Sequence, residues 1–168
     1  MNRLFITRNI FLSIVGLIVI GASSRAFGMD IFQAIENNDI TKVEELITKD
    51  GFDCNQVYEH GWTLFLWVCS KNNLKIVELF LDNSSDANKV GYDGWTPLIM
   101  ACINDNLDIA RLLFDNGAKE SVNIADESGR TALHVACKNN NLDIIKLLLC
   151  NGAKESVNIA DESGKTPL

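Results

Sequence analysis

The chain has 168 residues, 47% of them hydrophobic and 22% charged, with a formal net charge of -7 at pH 7. The first 28 residues contain three arginines and no acidic residue, so the other 140 carry 12 basic and 22 acidic residues, a net charge of -10. Because a surface this acidic repels phosphate and anionic lipid, we expect neither nucleic acid nor a membrane surface as a partner of this part of the chain.

Residues 1–28 have the layout of a secretory signal peptide. Arg3 and Arg8 form a basic start, Ile10–Ile20 is an apolar stretch of eleven residues, and Ala26–Gly28 offers a small-x-small cleavage site. The alternative is an uncleaved membrane anchor, although only sixteen uncharged positions lie between Arg8 and Arg25 and a spanning helix needs about 20 apolar residues. The segment predicts export by the secretory route, to the periplasm or outside the cell, or membrane anchoring if it is not cleaved.

The rest of the chain is organised as an internal repeat. Fourteen residues, Asn116 to Gly129 (NGAKESVNIADESG), recur unchanged at 151–164, 35 residues later. Threonines set the register, with spacings of 33, 35 and 35 residues, at Thr63, Thr96, Thr131 and Thr166. After each of the first three come a pair of small residues, an asparagine-rich break and a second apolar stretch. This pattern predicts two helices per repeat, stacked on the neighbouring repeats as a solenoid.

With segments such as TPLI and TALH at the first helix and NGA after the second, the chain resembles an ankyrin repeat protein. The resemblance implies an all-α fold, an ankyrin-repeat solenoid of stacked helix-turn-helix units with short β-hairpin loops. It divides the chain into an N-terminal capping repeat at 29–57, full repeats at 58–90, 91–125 and 126–160, and the start of a further repeat at 161–168.

The capping repeat lacks the threonine-led start but keeps an apolar face beside a charged one, as the end of a solenoid requires. Its inward positions are Ala34, Ile35, Val43, Leu46 and Ile47. Between the two helices of each unit, the usual glycine is replaced by residue types that tolerate the left-handed backbone, at Asn38, Asn72, Asp105 and Asn140.

At the other end, the sequence stops at Leu168, soon after the fourth threonine. We expect the second helix of the repeat at 126–160 to lack a covering neighbour and to leave its apolar side chains half exposed, at Leu142, Ile144, Ile145, Leu147 and Leu148. Two explanations stay open: the chain is a fragment of a longer array, or the exposed end is itself a docking surface. We expect a monomer unless this end pairs with another chain.

The sequence offers no constellation for catalysis, for a cofactor or for a metal ion. Cys69, Cys102 and Cys137 occupy one small-residue position in successive repeats, which stack too far apart for a disulfide, and we expect Cys54 and Cys150 to be free as well. The chain contains no CxxC or Cys-His zinc spacing. The triplets Asp126–Ser128 and Asp161–Ser163 are copies of one turn rather than a catalytic carboxylate pair. We therefore expect no enzyme.

The resemblance also assigns the two histidines and the partner contacts. It gives His134 the role of tying the backbone between repeats, and it places partner contacts on the hairpin tips and on the inner face of the first helices. The predicted partner-binding residues are Tyr58, Glu59, His60 and Trp62; Tyr92, Asp93 and Trp95; Glu127, Ser128 and Arg130; and Glu162, Ser163 and Lys165. Ser70, Lys71, Ile103, Asn104, Lys138 and Asn139 would continue this surface.

Trp62 and Trp95 occupy the same slot in adjacent repeats and are of a residue type enriched in interface hot spots. The alternative is that each ring packs on the next hairpin as local core.

The resulting functional hypothesis is a non-catalytic, exported adaptor that binds another protein along the hairpin tips. The first alternative is an inhibitor or immunity-type protein that blocks an enzyme in the same compartment, and the second is a structural spacer without a specific partner. The scaffold indicates where contacts fall and leaves the identity of the partner open.

Overall fold

The computed structural model describes residues 25–58 and 61–168, with only the backbone of residues 25–29 and of Tyr92. Within these ranges the chain forms eight α-helices and two 3-10 turns, and its β structure is the single bridge between Val57 and Thr63. The all-α prediction is confirmed. Most of the expected signal segment and two predicted contact residues, Glu59 and His60, lie outside the described residues. None of the described helices is long and apolar enough to span a bilayer.

The chain divides into two compact units, the first of which ends at Leu46. Its helices are α1 (Arg25–Glu36) and α2 (Ile40–Ile47), the last residue of which is already the first of the second unit. The backbone between the two helices is left-handed at Asn38, with φ 59°. The predicted inward positions of these helices are buried, whereas Glu36, Glu44 and Glu45 are exposed. Because α1 begins at Arg25, the expected cleavage point after Gly28 lies within the first turns of a helix.

The second unit, Ile47–Leu168, contains three helix pairs, one in each predicted full repeat. The helices are α3 (Leu64–Ser70) and α4 (Leu74–Asp82), α5 (Pro97–Ile103) and α6 (Leu107–Asp115), and α7 (Ala132–Lys138) and α8 (Leu142–Cys150). First helices pack on first helices of the next repeat and second helices on second helices. The core runs along this stack and includes Phe65 and Phe80, whose rings lie 6.3 Å apart.

Threonine and asparagine side chains begin these helices. Thr63 Oγ1 accepts the N–H of Leu66 at 3.0 Å, and Thr96 caps α5 in the same way ahead of Pro97. Both bonds satisfy backbone donors that the first turn of a helix leaves free. Each turn between paired helices is left-handed where the sequence predicts it, with φ 61°, 56° and 60° at Asn72, Asp105 and Asn140.

The asparagine-rich breaks also link one repeat to the next. Asn106 caps α6 through its Oδ1, while its Nδ2 donates to Asn72 Oδ1 of the preceding repeat at 2.9 Å. Asn141 repeats this arrangement toward Asp105 at 2.8 Å. The amides of Asn104 and Asn139 donate to the carbonyl oxygens of Cys69 and Cys102. These two amides, which we predicted to extend the partner surface, are therefore bonded within the fold.

The last helix is better covered than its position in the sequence predicts. Ile144 and Leu148 are fully buried, so the expectation of exposure is wrong for them. Both belong to α8, which packs against α6 and α7 and turns these two side chains into the stack. Leu142, at the start of the helix, is 65% exposed, as predicted.

Two of the three cysteines that share one position in successive repeats lie in the core. Cys69 and Cys102 are fully buried, and this burial raises the pKa of both thiols. Cys137 is half-buried, and all five cysteines are unpaired in the structure.

Candidate protein-binding surface

Four hairpin turns with the same closing bond carry the predicted contact residues. The N–H of the first tip residue donates to the carbonyl oxygen four positions later: Tyr58 to Trp62 at 2.7 Å, Gly91 to Trp95 at 2.9 Å, Asp126 to Arg130 at 2.9 Å and Asp161 to Lys165 at 2.8 Å. We call this row of turns, residues 58–62, 91–95, 126–130 and 161–165, the hairpin rim.

Neighbouring hairpins of the rim are joined through their backbones. The N–H of Glu127 donates to Asp93 O at 2.8 Å, and the N–H of Glu162 donates to Ser128 O at 3.0 Å. At Gly129, whose φ is 73°, an added Cβ would lie 3.1 Å from Asp161 Cα. Direct backbone contacts therefore fix the positions of the last three turns of the rim relative to one another.

The aromatic residues of the rim meet across two repeats. The rings of Trp62 and Trp95 lie 5.9 Å apart at 64° to each other, an edge-to-face arrangement, and both side chains are half-buried. The contact between the rings agrees with the local-packing alternative in part, while both residues remain partly exposed at the rim. Tyr58 Oη lies 3.1 Å from Gln56 Oε1, and burial, with a smaller effect of Asp53, raises the pKa of Tyr58 to about 12.

The third hairpin contains an ion pair that the repeat pattern does not indicate. Arg130 Nη2 and Nε lie 2.6 Å and 3.0 Å from Asp126 Oδ2, while Asp126 Oδ1 accepts the N–H groups of Ser128 and Arg130. The Asp126 side chain is 2% exposed. The turn-forming role predicted for this triplet is confirmed, and Arg130 is held within its own hairpin.

The fourth hairpin repeats the turn of the third, with Lys165 in the position of Arg130. Asp161 Oδ1 accepts the N–H groups of Lys165 and Ser163, and chiefly the bond from Lys165 holds the pKa of Asp161 below its ordinary value. Glu162, Ser163 and Lys165 are exposed, so the structure places all three at the surface of the rim.

Two carboxylates of adjacent hairpins lie side by side. The charge of Asp93, together with a side-chain hydrogen bond to it, raises the pKa of Glu127, and Glu162 and Asp126 add to the effect. Glu127 is exposed, while Asp93 is half-buried with a left-handed backbone at φ 54°. The repeat register places these residues at different tip positions, so their approach follows from the stacking of the hairpins.

Sequence comparison agrees with this geometry. The family described as Ankyrin repeats (3 copies) matches residues 31–124, and the family described as Ankyrin repeats (many copies) matches residues 113–168. The chain belongs to the ankyrin repeat family. No individual curated protein matches it significantly. Ankyrin repeats indicate a scaffold for protein–protein interaction, and proteins built from them are generally non-catalytic interaction modules.

His134 has the role that the ankyrin resemblance assigns to it. Its Nδ1 accepts the N–H of Thr131 at 3.1 Å, and its Nε2 lies 3.3 Å from the carbonyl oxygen of Lys165 in the next hairpin. Because Nδ1 is an acceptor here, the proton belongs on Nε2, which donates to Lys165 O. The histidine thereby caps α7 and ties two ankyrin repeats together.

The ends of the first ankyrin helices add two lysines to the candidate surface, Lys71 and Lys138. Lys71 Nζ lies 3.8 Å from the ring centroid of Trp67, a buried residue of α3. Ser70 and Ile103 are half-buried, and Lys138 is exposed. Across the described ranges, no group of three or more histidine, cysteine or acidic residues is arranged to hold a metal ion.

Proposed function

We propose that this chain is an exported adaptor that binds a protein partner through the aromatic half of its hairpin rim, which we define as Tyr58, Trp62 and Trp95. The contact between Trp62 and Trp95 supports this proposal most directly. Two large rings in edge-to-face contact across adjacent repeats form a preorganised apolar surface, and tryptophan and tyrosine are enriched among the residues that dominate binding energy.

The polar half of the rim, at Arg130 and Lys165, contributes less in this proposal. Arg130 already bonds Asp126, so a partner would have to compete with an existing ion pair. Lys165 is an exposed cation, and exposed ion pairs are typically worth only about 0–1 kcal/mol.

The test begins with a displayed library of protein fragments, from which segments that bind the chain from Met29 onward are selected. The affinity of these segments is then measured for variants of the chain. Changing both tryptophans, Trp62→Ala with Trp95→Ala, should weaken the binding of the selected segments by about tenfold or more. Arg130→Ala with Lys165→Ala is the matched double variant and should cause a smaller loss. An equal or larger loss from the second pair would contradict the proposal, provided that thermal melting shows both variants folded.

The acidic pair of Asp93 and Glu127 favours one further candidate, an inhibitor that covers a cationic surface of an enzyme in the same compartment. The same selection separates the two functions. Selected segments that belong to an enzyme, together with loss of its activity in the complex, would support inhibition; binding that leaves activity unchanged would support the adaptor.

Export is proposed from residues 1–28 alone. N-terminal sequencing of the native protein should find a chain that begins near Met29. If the native chain retains residues 1–28 and fractionates with membranes, the segment is a membrane anchor and the proposal of export is wrong.

A further inference from the structure

The aromatic half of the rim is continuous with two carboxylates. Asp93 lies two residues before Trp95 in the same turn, and its carbonyl oxygen accepts the N–H of Glu127 in the next hairpin at 2.8 Å. Trp95 in turn contacts Trp62. Apolar ring surface and negative charge are therefore held next to each other by one hairpin and its two neighbours.

The charge at this place is not neutralised within the described part of the chain. Neither Asp93 nor Glu127 forms an ion pair there, and the cation in the same hairpin as Glu127, Arg130, is bonded to the buried carboxylate of Asp126. The pKa of Glu127 is raised chiefly by the charge of Asp93, because two adjacent carboxylates repel each other. A cation brought by a partner would relieve this repulsion.

We infer that the partner segment is cationic, with an arginine or lysine that reaches Asp93 and Glu127 while its apolar part covers Trp62 and Trp95. This inference rests on the proposed function and specifies the chemistry of the partner. Arginine fits well, since its planar group can bond both carboxylates and stack on an indole ring. The net charge of -7 for the whole chain favours the same class of partner through long-range attraction.

Three matched sets of synthetic 12-residue peptides test the inference. All sets have the same leucine and aromatic positions, and their polar positions carry arginine, glutamine or glutamate. At about 0.15 M salt, where exposed charges farther apart than about 8 Å are largely screened, the arginine set should bind the chain from Met29 onward at least tenfold more tightly than the glutamine set. The glutamate set should bind most weakly.

Two variants locate the effect. Asp93→Asn with Glu127→Gln should reduce the preference for arginine to about twofold or less. Asp108→Asn with Glu120→Gln removes the same charge from exposed positions outside the rim and should leave the preference nearly unchanged.

The outcomes separate the two levels of the proposal. Equal binding of the arginine and glutamine sets, with both abolished by Trp62→Ala and Trp95→Ala, would overturn the cationic partner and leave the aromatic rim in place. Equal loss in the two charge variants would overturn the inference, because the attraction would then be that of the whole acidic surface. Tight binding of the arginine set that is insensitive to the tryptophan changes would contradict the proposed function itself.

Discussion

Replacing Gly129 with alanine is expected to lower the free energy of unfolding by about 2–4 kcal/mol. The backbone at Gly129 is left-handed, with φ 73°, which costs a residue with a side chain about 1–2 kcal/mol. The new methyl group would also lie 3.1 Å from Asp161 Cα and 3.2 Å from Glu162 N. Both atoms belong to the backbone of the next hairpin, so relief requires the hairpins to separate.

The duplicated segment contains the control for this substitution. Gly164 has the same sequence context and a φ of 75°, but no atom lies near the position of an added Cβ. Gly164→Ala should therefore cost only about 1–2 kcal/mol, the backbone part of the effect. Urea unfolding of the two variants measures the difference directly. Equal losses would show that contact between hairpins contributes nothing.

The second large effect is expected at Asp126. Asp126→Ala should destabilise the chain by about 2–4 kcal/mol, because its carboxylate accepts two backbone N–H groups and pairs with Arg130. The larger loss usual for a fully buried ion pair is not expected, since the Arg130 side chain is 37% exposed and partly solvated.

Asp161→Ala is the matched control, again from the identical copy. The carboxylate of Asp161 accepts the two equivalent backbone N–H groups, those of Ser163 and Lys165, but pairs with no arginine and lies at the surface. The loss of stability in Asp161→Ala should therefore be clearly smaller. A loss at Asp161 as large as that at Asp126 would show that the turn alone accounts for the stability.

Local chemistry explains why much of the fold could be predicted from the sequence. Thr63 and Thr96 indicate helix starts because their hydroxyl groups cap backbone donors. Turns are indicated by residue types that adopt a left-handed backbone more readily than most, at Asn72, Asp105 and Asn140. These effects involve neighbours only a few residues away, so the spacing of the repeat was sufficient to locate them.

Contacts between repeats could not be predicted in the same way. The copies at 116–129 and 151–164 are identical, yet Asp126 is buried and Asp161 is not. One difference between the copies is the residue four positions later, which is Arg130 in the first copy, where it pairs with Asp126, and Lys165 in the second. For the same reason, spacing did not indicate that Asp93 approaches Glu127, or that α6 and α7 bury Ile144 and Leu148.

The candidate surface was predicted as a row of tip positions, and the structure adds the relations among them. Trp62 and Trp95 form a pair, Arg130 is engaged within its own turn, and the polar and aromatic halves therefore differ in how available they are to a partner. For Glu59, His60 and the side chain of Tyr92, the role in binding stays a prediction.

Amide hydrogen exchange of the chain with and without a selected binding segment shows directly which part of the repeats the partner covers. Binding through the aromatic half of the rim should add protection in the hairpins at 58–62 and 91–95, with less change at 126–130 and 161–165. Protection confined to the second helices α4, α6 and α8 would rule out binding through the aromatic half, because it would place the partner away from the hairpin rim.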